Sequence, residues 1–237
     1  MQIFDCLNIS VLMQVMCAIV LGSKIGEGKF RQCWELKEDP ALCAKLVRPN
    51  IEKRILPSLR VSVPSRVFTL INNGVFDVNQ LEHDNITSLP GPIRQYAPIV
   101  MELIRDVRLS PQKILVTSRA FDYDHSPSKS LAETGPVHNE EFWNHIQHIS
   151  NCMLDFRRYF SDVFHRGQNI LVQKLTPTEF RPVLIDLKRE GCRTYPYDVL
   201  LFLPSEQRRR FRRKLLAFKE KFDARTKIRR RSTVSSQ

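Results

Sequence analysis

Seven residues, ALCAKLV from Ala41 to Val47, constrain this chain more than any other stretch. Short, apolar and β-prone, they read as a buried strand that carries one charge, Lys45. An ammonium is costly to bury alone. Either the chain supplies a counter-charge, or the lysine stem runs along the strand and frees its head to solvent.

The segments on either side of this strand add to the constraint. Upstream, apolar β-prone runs around 17–24 and 30–36 flank KIGEGKF, which predicts a hairpin with Gly26 and Gly28 between the strands. Backbone amides with no side chain above them can approach phosphate oxygens, although glycine-rich hairpins are common for purely structural reasons. Downstream, residues 51–92 are mixed and rich in breakers, with a helix expected over Val78–Ser88 and Asp77 as its N-cap. Ala97–Ile104 and Lys113–Phe121 read as strands with a turn near Ser110, and DHSPSKS reads as a polar connector.

Beyond the connector the period changes. Phe142, Ile146, Ile149, Met153, Phe156 and Phe160 recur in steps of four and three, one stripe of a long amphipathic helix. Glu140 and Glu141 near its start and Arg157 and Arg158 near its end suit the helix dipole. His138, His145 and His148 fall on the same stretch and read as surface histidines. NILVQ and PVLIDL follow as two short strands, with Asn169 just before the first and Asp186 at the end of the second. A carboxylate beside an amide is a sensible oxygen pair for a divalent cation. The plainer readings are a turn Asn and a strand-end Asp. A last helix starts at Ser205 as N-cap and shows Phe211, Leu215, Phe218 and Phe222 as its apolar stripe.

Charge separates the end of the chain from its body. Residues 208–231 hold thirteen Lys or Arg against Glu220 and Asp223, a net +11 of the +12 carried by all 237 residues. Three readings stay open for this segment: a helix docked by its apolar stripe with solvated arginines outside, contact with an anionic membrane surface, or binding of an acidic protein or nucleic acid, the last less favoured. The six cysteines form no CxxC pair and suit free thiols in a reducing cytosol. The run Ile9–Leu21, interrupted by Ser10 and Gln14, is shorter than the ~20 residues that cross a bilayer. Residues 1–19 are therefore expected to be an N-terminal extension or to reflect an uncertain start codon, with membrane insertion or export as the alternative.

Glycine turn, strand lysine, long helix, Asn before a strand and Asp after a strand come in the order of the protein-kinase parts. The segments KIGEGKFRQCWELKEDPALCAKLV, FDVNQLEHDNI, KILVTSRAFDYDHSPSKSL and QNILVQ with PVLIDLKREG resemble the PhoP regulatory network protein family (YrbL-like), a bacterial group similar to protein kinases. The resemblance spans roughly residues 20–222. It implies an α+β protein with a kinase-like bilobal fold: a β-rich N-lobe over 20–124, a reduced helical C-lobe over 125–224, and a basic disordered tail over 225–237. It implies ATP and Mg²⁺ as cofactors, with Gly26 and Gly28 over the phosphates and Lys45 paired with them. Glu82 would hold the lysine, Glu52 being the weaker choice. Arg119 and Ala120 would form the hinge against adenine, and Asn169 and Asp186 would hold the metal.

Three departures qualify that implication. Arg31 stands where a kinase loop has its third glycine, Leu187-Lys188 follow Asp186 where Phe-Gly is usual, and Phe164 occupies the position of the catalytic aspartate. Phenylalanine cannot act as a base. Asp162 and His165 are the substitutes if the loop is reshaped. The expected function is an atypical phosphotransferase or a pseudokinase with a regulatory role, in the cytoplasm or peripheral at the inner membrane. The alternative is a non-catalytic basic module for an anionic membrane surface or nucleic acid.

Overall fold

A computed structural model describes residues 19–28, 31–48, 77–106, 108–110, 112–160, 163–164, 166–187 and 204–223. Most of the expected N-terminal extension, Glu52, Asp162, His165 and the basic tail from 225 onward lie outside the described residues. The protein is mixed α+β. Five strands, β1 (Leu21–Glu27), β2 (Arg31–Leu36), β3 (Leu42–Val47), β4 (Val100–Ile104) and β5 (Ile114–Ser118), form an antiparallel sheet in the order β1-β2-β3-β5-β4. Between β3 and β4 in the chain comes helix α1 (Val78–Thr87), followed by the short helix α2 (Gly91–Arg94).

Alternation divides the sheet into two faces. Ala44 and Leu46 of β3 and Ile114 and Val116 of β5 bury together on one face, with Trp34, Leu36, Leu42 and Ile104 packed against them. The register sets Cys33 opposite Lys45 and Lys45 opposite Leu115, and sets Glu35 opposite Cys43 and Cys43 opposite Thr117. The second face therefore carries Arg31, Cys33, Glu35, Cys43, Lys45 and Thr117 beside the apolar Val47 and Leu115. It is rich in polar groups and yet covered: Lys45 is 9% exposed and Thr117 fully buried.

The rest of the chain builds a larger apolar core. Strand β6 (Lys129–Ser130) pairs with β7 (Ile170–Lys174), which pairs with β8 (Phe180–Leu184). Helix α3 (Leu131–Thr134), helix α4 (Glu140–Asp155) and helix α5 (Pro204–Phe222) complete it. Phe142, Trp143, Ile146, Ile149 and Met153 of α4 bury with Phe211, Leu215, Phe218 and Phe222 of α5. Asn139 caps α4 by accepting the Phe142 N–H at 2.8 Å, and the Trp143 indole donates to the Val137 carbonyl at 2.9 Å. Among the described residues no helix is long and apolar enough to cross a membrane.

Several boundaries differ from the sequence reading. Gly26 lies inside β1 opposite Cys33, and only Gly28 belongs to the turn, its N–H donating to the Arg31 carbonyl at 2.8 Å. The fourth strand starts at Val100, past Pro98, which cannot donate to a ladder. Part of the polar connector is structured, through the Phe121–Pro127 bridge and β6. Helix α4 stops at Asp155, Arg157 takes a φ of 55°, and the four-residue step is lost. Phe156 is therefore 50% exposed, whereas Phe160 enters the core from beyond the helix. Arg157 and Arg158 follow the last turn rather than lie in it, and His138 precedes the cap. Ser205 is not a cap, because α5 already includes Pro204, a residue suited to the first turn.

Gly167 is the position where the fold demands glycine. Its φ is 71°, and an added Cβ would meet the Phe222 ring at 2.8 Å and the Ala132 nitrogen at 3.2 Å. Left-handed strain and overpacking each cost on the order of 1–3 kcal/mol. Gly167→Ala is expected to lower stability by about 2–4 kcal/mol in urea titration, with the slope against denaturant unchanged.

Candidate functional site

The counter-charge to Lys45 comes from α1. Asp77 starts this helix by accepting the Asn79 and Gln80 N–H groups, both at 3.1 Å, and its second oxygen accepts the Lys113 N–H at 2.9 Å. Val78, Glu82 and Ile86 follow at four-residue spacing and are buried. Glu82 thus points at the polar face of the sheet. Its carboxylate accepts from Lys45 Nζ at 2.7 Å and pairs with the Arg31 guanidinium.

Arg31 reaches further. Its guanidinium donates to Asn79 Oδ1 at 2.9 Å and pairs with the Asp186 carboxylate. Asn79 in turn donates to the carbonyls of Lys45 and Lys113, both at 2.6 Å, which ties the helix to β3 and to the chain entering β5. Asn85 donates to the Leu187 carbonyl at 2.8 Å. Four charged groups, Lys45, Arg31, Glu82 and Asp186, therefore meet from β3, β2, α1 and the turn after β8. Asp186 adopts a φ of 62°, a left-handed conformation that Asp tolerates better than most residues. The Ile185 N–H donates to the Asn169 carbonyl at 3.0 Å, which brings the Asn before β7 next to the Asp after β8.

Burial and charge act against each other here. Burial pushes the Glu82 carboxyl upward, but the cations of Arg31 and Lys45 outweigh it and hold it below the usual glutamate range. Burial disfavours charge on Lys45 and Arg31 too, and the carboxylates raise both above their ordinary values. Glu82, Lys45 and Arg31 therefore persist ionised, with two cations facing two carboxyl groups. On the same face the proximity of Cys33 lowers the Cys43 thiol below the usual cysteine range, against burial and with help from the Lys45 ammonium. Its sulfur lies 3.4 Å from Thr117 Oγ1.

Lys45, Glu82 and Asp186 converge as the sequence order requires, and the Asn169 backbone joins them. Gly26 and Gly28 lie on the β1–β2 hairpin, with nothing within 4 Å of an added Cβ at Gly26 and only the Arg31 carbonyl, at 3.6 Å, near one at Gly28. At the hairpin tip Glu27 pairs with Arg48. Arg119 and Ala120 follow β5, and three of their polar groups have partners. The Arg119 N–H donates to the Ala41 carbonyl at 2.8 Å, its guanidinium meets Glu35 at 2.6 Å, and the Ala120 carbonyl accepts from Ser128 at 3.0 Å. Phe164 is a core residue, 2% exposed, its ring 5.4 Å from Phe211 and 5.3 Å from Phe218. Asp162 and His165 lie outside the described residues. Sequence reasoning missed Asn79, three residues before Glu82 on the same helix face. It read Arg31 only as a missing glycine, although the alternation that places Cys33 beside Lys45 also places Arg31 on that face.

One Asp186 oxygen is engaged by the Arg31 guanidinium, and among the described residues no group of three His, Cys, Asp or Glu is placed to hold a metal. His145 is bonded to the Tyr96 hydroxyl at 2.8 Å and His148 to Cys152 at 3.6 Å. No family model matches the chain, and no curated protein matches it.

Removing one partner of a buried ion pair leaves the other charge uncompensated, at a cost of about 3–5 kcal/mol. Glu82→Ala, which strands Lys45 and leaves Arg31 with Asp186 as its remaining carboxylate, is expected to destabilise by about that much in chemical denaturation. Because the folded Glu82 carboxyl titrates below its unfolded value of about 4.3, its contribution is complete above that pH and fades as pH falls through the folded value. The stability of Glu82→Gln is expected to fall less steeply than wild type below about pH 4.3, as followed by denaturant titrations across that range.

Proposed function

We propose that this protein is a kinase-like nucleotide-binding module that holds the phosphates of ATP between the Gly26–Gly28 hairpin and Lys45. The carrying observation is the buried Lys45–Glu82 pair at 2.7 Å, with Asp186 drawn to the same carboxylate by Arg31. The strand order β1-β2-β3-β5-β4, with α1 inserted after β3 to deliver Glu82, supports a kinase-like N-lobe. The resemblance to the PhoP regulatory network family is compatible with both features.

The proposed role is regulatory rather than catalytic. The position expected to hold a base carries Phe164, locked against two aromatic rings of α5. A phenyl group neither accepts a substrate proton nor orients a hydroxyl.

A ligand at a hundred times its Kd stabilises the folded state by about 2.7 kcal/mol, which for a chain of this size is a Tm rise of roughly 5–10 °C. Saturating ATP is expected to produce such a rise in wild type. In Lys45→Met, which preserves the length of the side chain, the rise is expected to disappear while far-ultraviolet circular dichroism stays native. Absence of any shift with ATP in wild type would remove the reading.

A second reading rests on α5. Its apolar stripe docks on the core, leaving Arg208, Arg209, Arg212 and Arg213 exposed beside Leu216, which is 62% exposed. This face suits peripheral attachment to an anionic membrane surface, where each cation contributes about 1 kcal/mol. Sedimentation with phosphatidylglycerol vesicles, but not with phosphatidylcholine vesicles, is expected. Alanine at these four positions is expected to reduce it about tenfold or more.

A further inference from the structure

The strongest unexplained feature is Arg31. Its side chain enters the site from β2 as the only guanidinium of the charged tetrad, and nothing in the nucleotide-binding reading requires it. Three protein groups hold its head: Glu82, Asn79 and Asp186. Its side chain is 9% exposed, that of Asp186 26%. A kinase-like site leaves its strand-end carboxylate open to a divalent cation that in turn grips the phosphates. In this protein the carboxylate already faces a cation that is covalently part of the chain.

We propose that the site binds the phosphates of its nucleotide without a divalent metal, Arg31 serving as the tethered cation at Asp186. The inference rests on the nucleotide-binding reading and goes beyond it by assigning the form of the ligand, a metal-free nucleotide. Three physical points carry it. A guanidinium stays charged at any physiological pH, so it cannot vacate the position by losing a proton. Its planar fork matches carboxylate and phosphate oxygens alike, so it can serve Asp186 and an incoming phosphate in a single geometry. Mg²⁺ sheds water reluctantly and is usually held by one or two carboxylates plus phosphates. To take the Asp186 oxygen that Arg31 holds, it would have to displace a buried guanidinium that Asn79 and Glu82 also hold in place.

The charge balance agrees. With Lys45 and Arg31 facing Glu82 and Asp186, the site is neutral before ligand arrives. A divalent cation added at Asp186 would crowd Arg31, and like charges in a buried site repel strongly.

The test is calorimetric titration of the full chain with ATP, once in excess Mg²⁺ and once in EDTA. Wild type is expected to bind with Kd values within about threefold of each other. Arg31→Gln keeps hydrogen-bond donors but removes the charge. It is expected to lose affinity about tenfold or more in EDTA and to recover it with Mg²⁺, since Asp186 is then open to the metal. Arg31→Lys, which keeps the charge, is expected to stay indifferent to Mg²⁺. Wild-type binding that is at least about tenfold tighter with Mg²⁺ overturns the inference and leaves the nucleotide reading intact. An Arg31→Gln variant as indifferent to metal as wild type overturns the role of Arg31. Binding in neither condition overturns the nucleotide reading and the inference together. The wild-type comparison alone decides the matter if a variant fails to fold.

Discussion

A carboxylate held between two cations organises this protein. Glu82 is fully buried, and nothing but Lys45 and Arg31 makes that burial tolerable. Each of the three groups alone would be driven toward water. Together they fix the depth at which α1 sits on the sheet and the direction in which β2 sends its first side chain. Asn79 completes the arrangement, accepting from Arg31 and donating to two carbonyls of the sheet side. A helix tied by both charge and amide has little freedom to slide or roll.

The same arrangement links two parts of the chain that are far apart in sequence. Arg31 and Asp186 are separated by 155 positions, and their contact joins the five-stranded sheet to the turn that follows the β7–β8 hairpin. Asn85 reinforces the link by holding the carbonyl of Leu187, a core residue. The charged site and the large apolar core are therefore mechanically continuous through residues 185–187.

Much of this was legible in the chain itself, for identifiable reasons. A lysine inside ALCAKLV calls for a counter-charge or an outlet to solvent, and Glu82, on the helix that Asp77 caps, was the candidate counter-charge that the structure places at 2.7 Å. The four-and-three stripe of α4 gave its buried residues up to Met153, because periodicity holds for as long as the helix does. It failed at Phe156, where a left-handed Arg157 turned the chain. Arg31 was misjudged because it was weighed against an expected glycine instead of against its place in the alternation of β2. Hinge groups at Arg119 and Ala120 could not be judged from sequence at all, since their bonds to Ala41 and Ser128 depend on tertiary pairing.

Phe164 sets a limit on what this fold can accept. Its ring lies 5.4 Å from that of Phe211 and 5.3 Å from that of Phe218, so helix α5 docks directly on it. Exchanging that phenyl for an acid would sink an unpaired charge into an aromatic cluster and loosen the helix above it. Residue 164 is thus a keystone, where any hydrophilic replacement is made at the expense of the seat on which α5 rests.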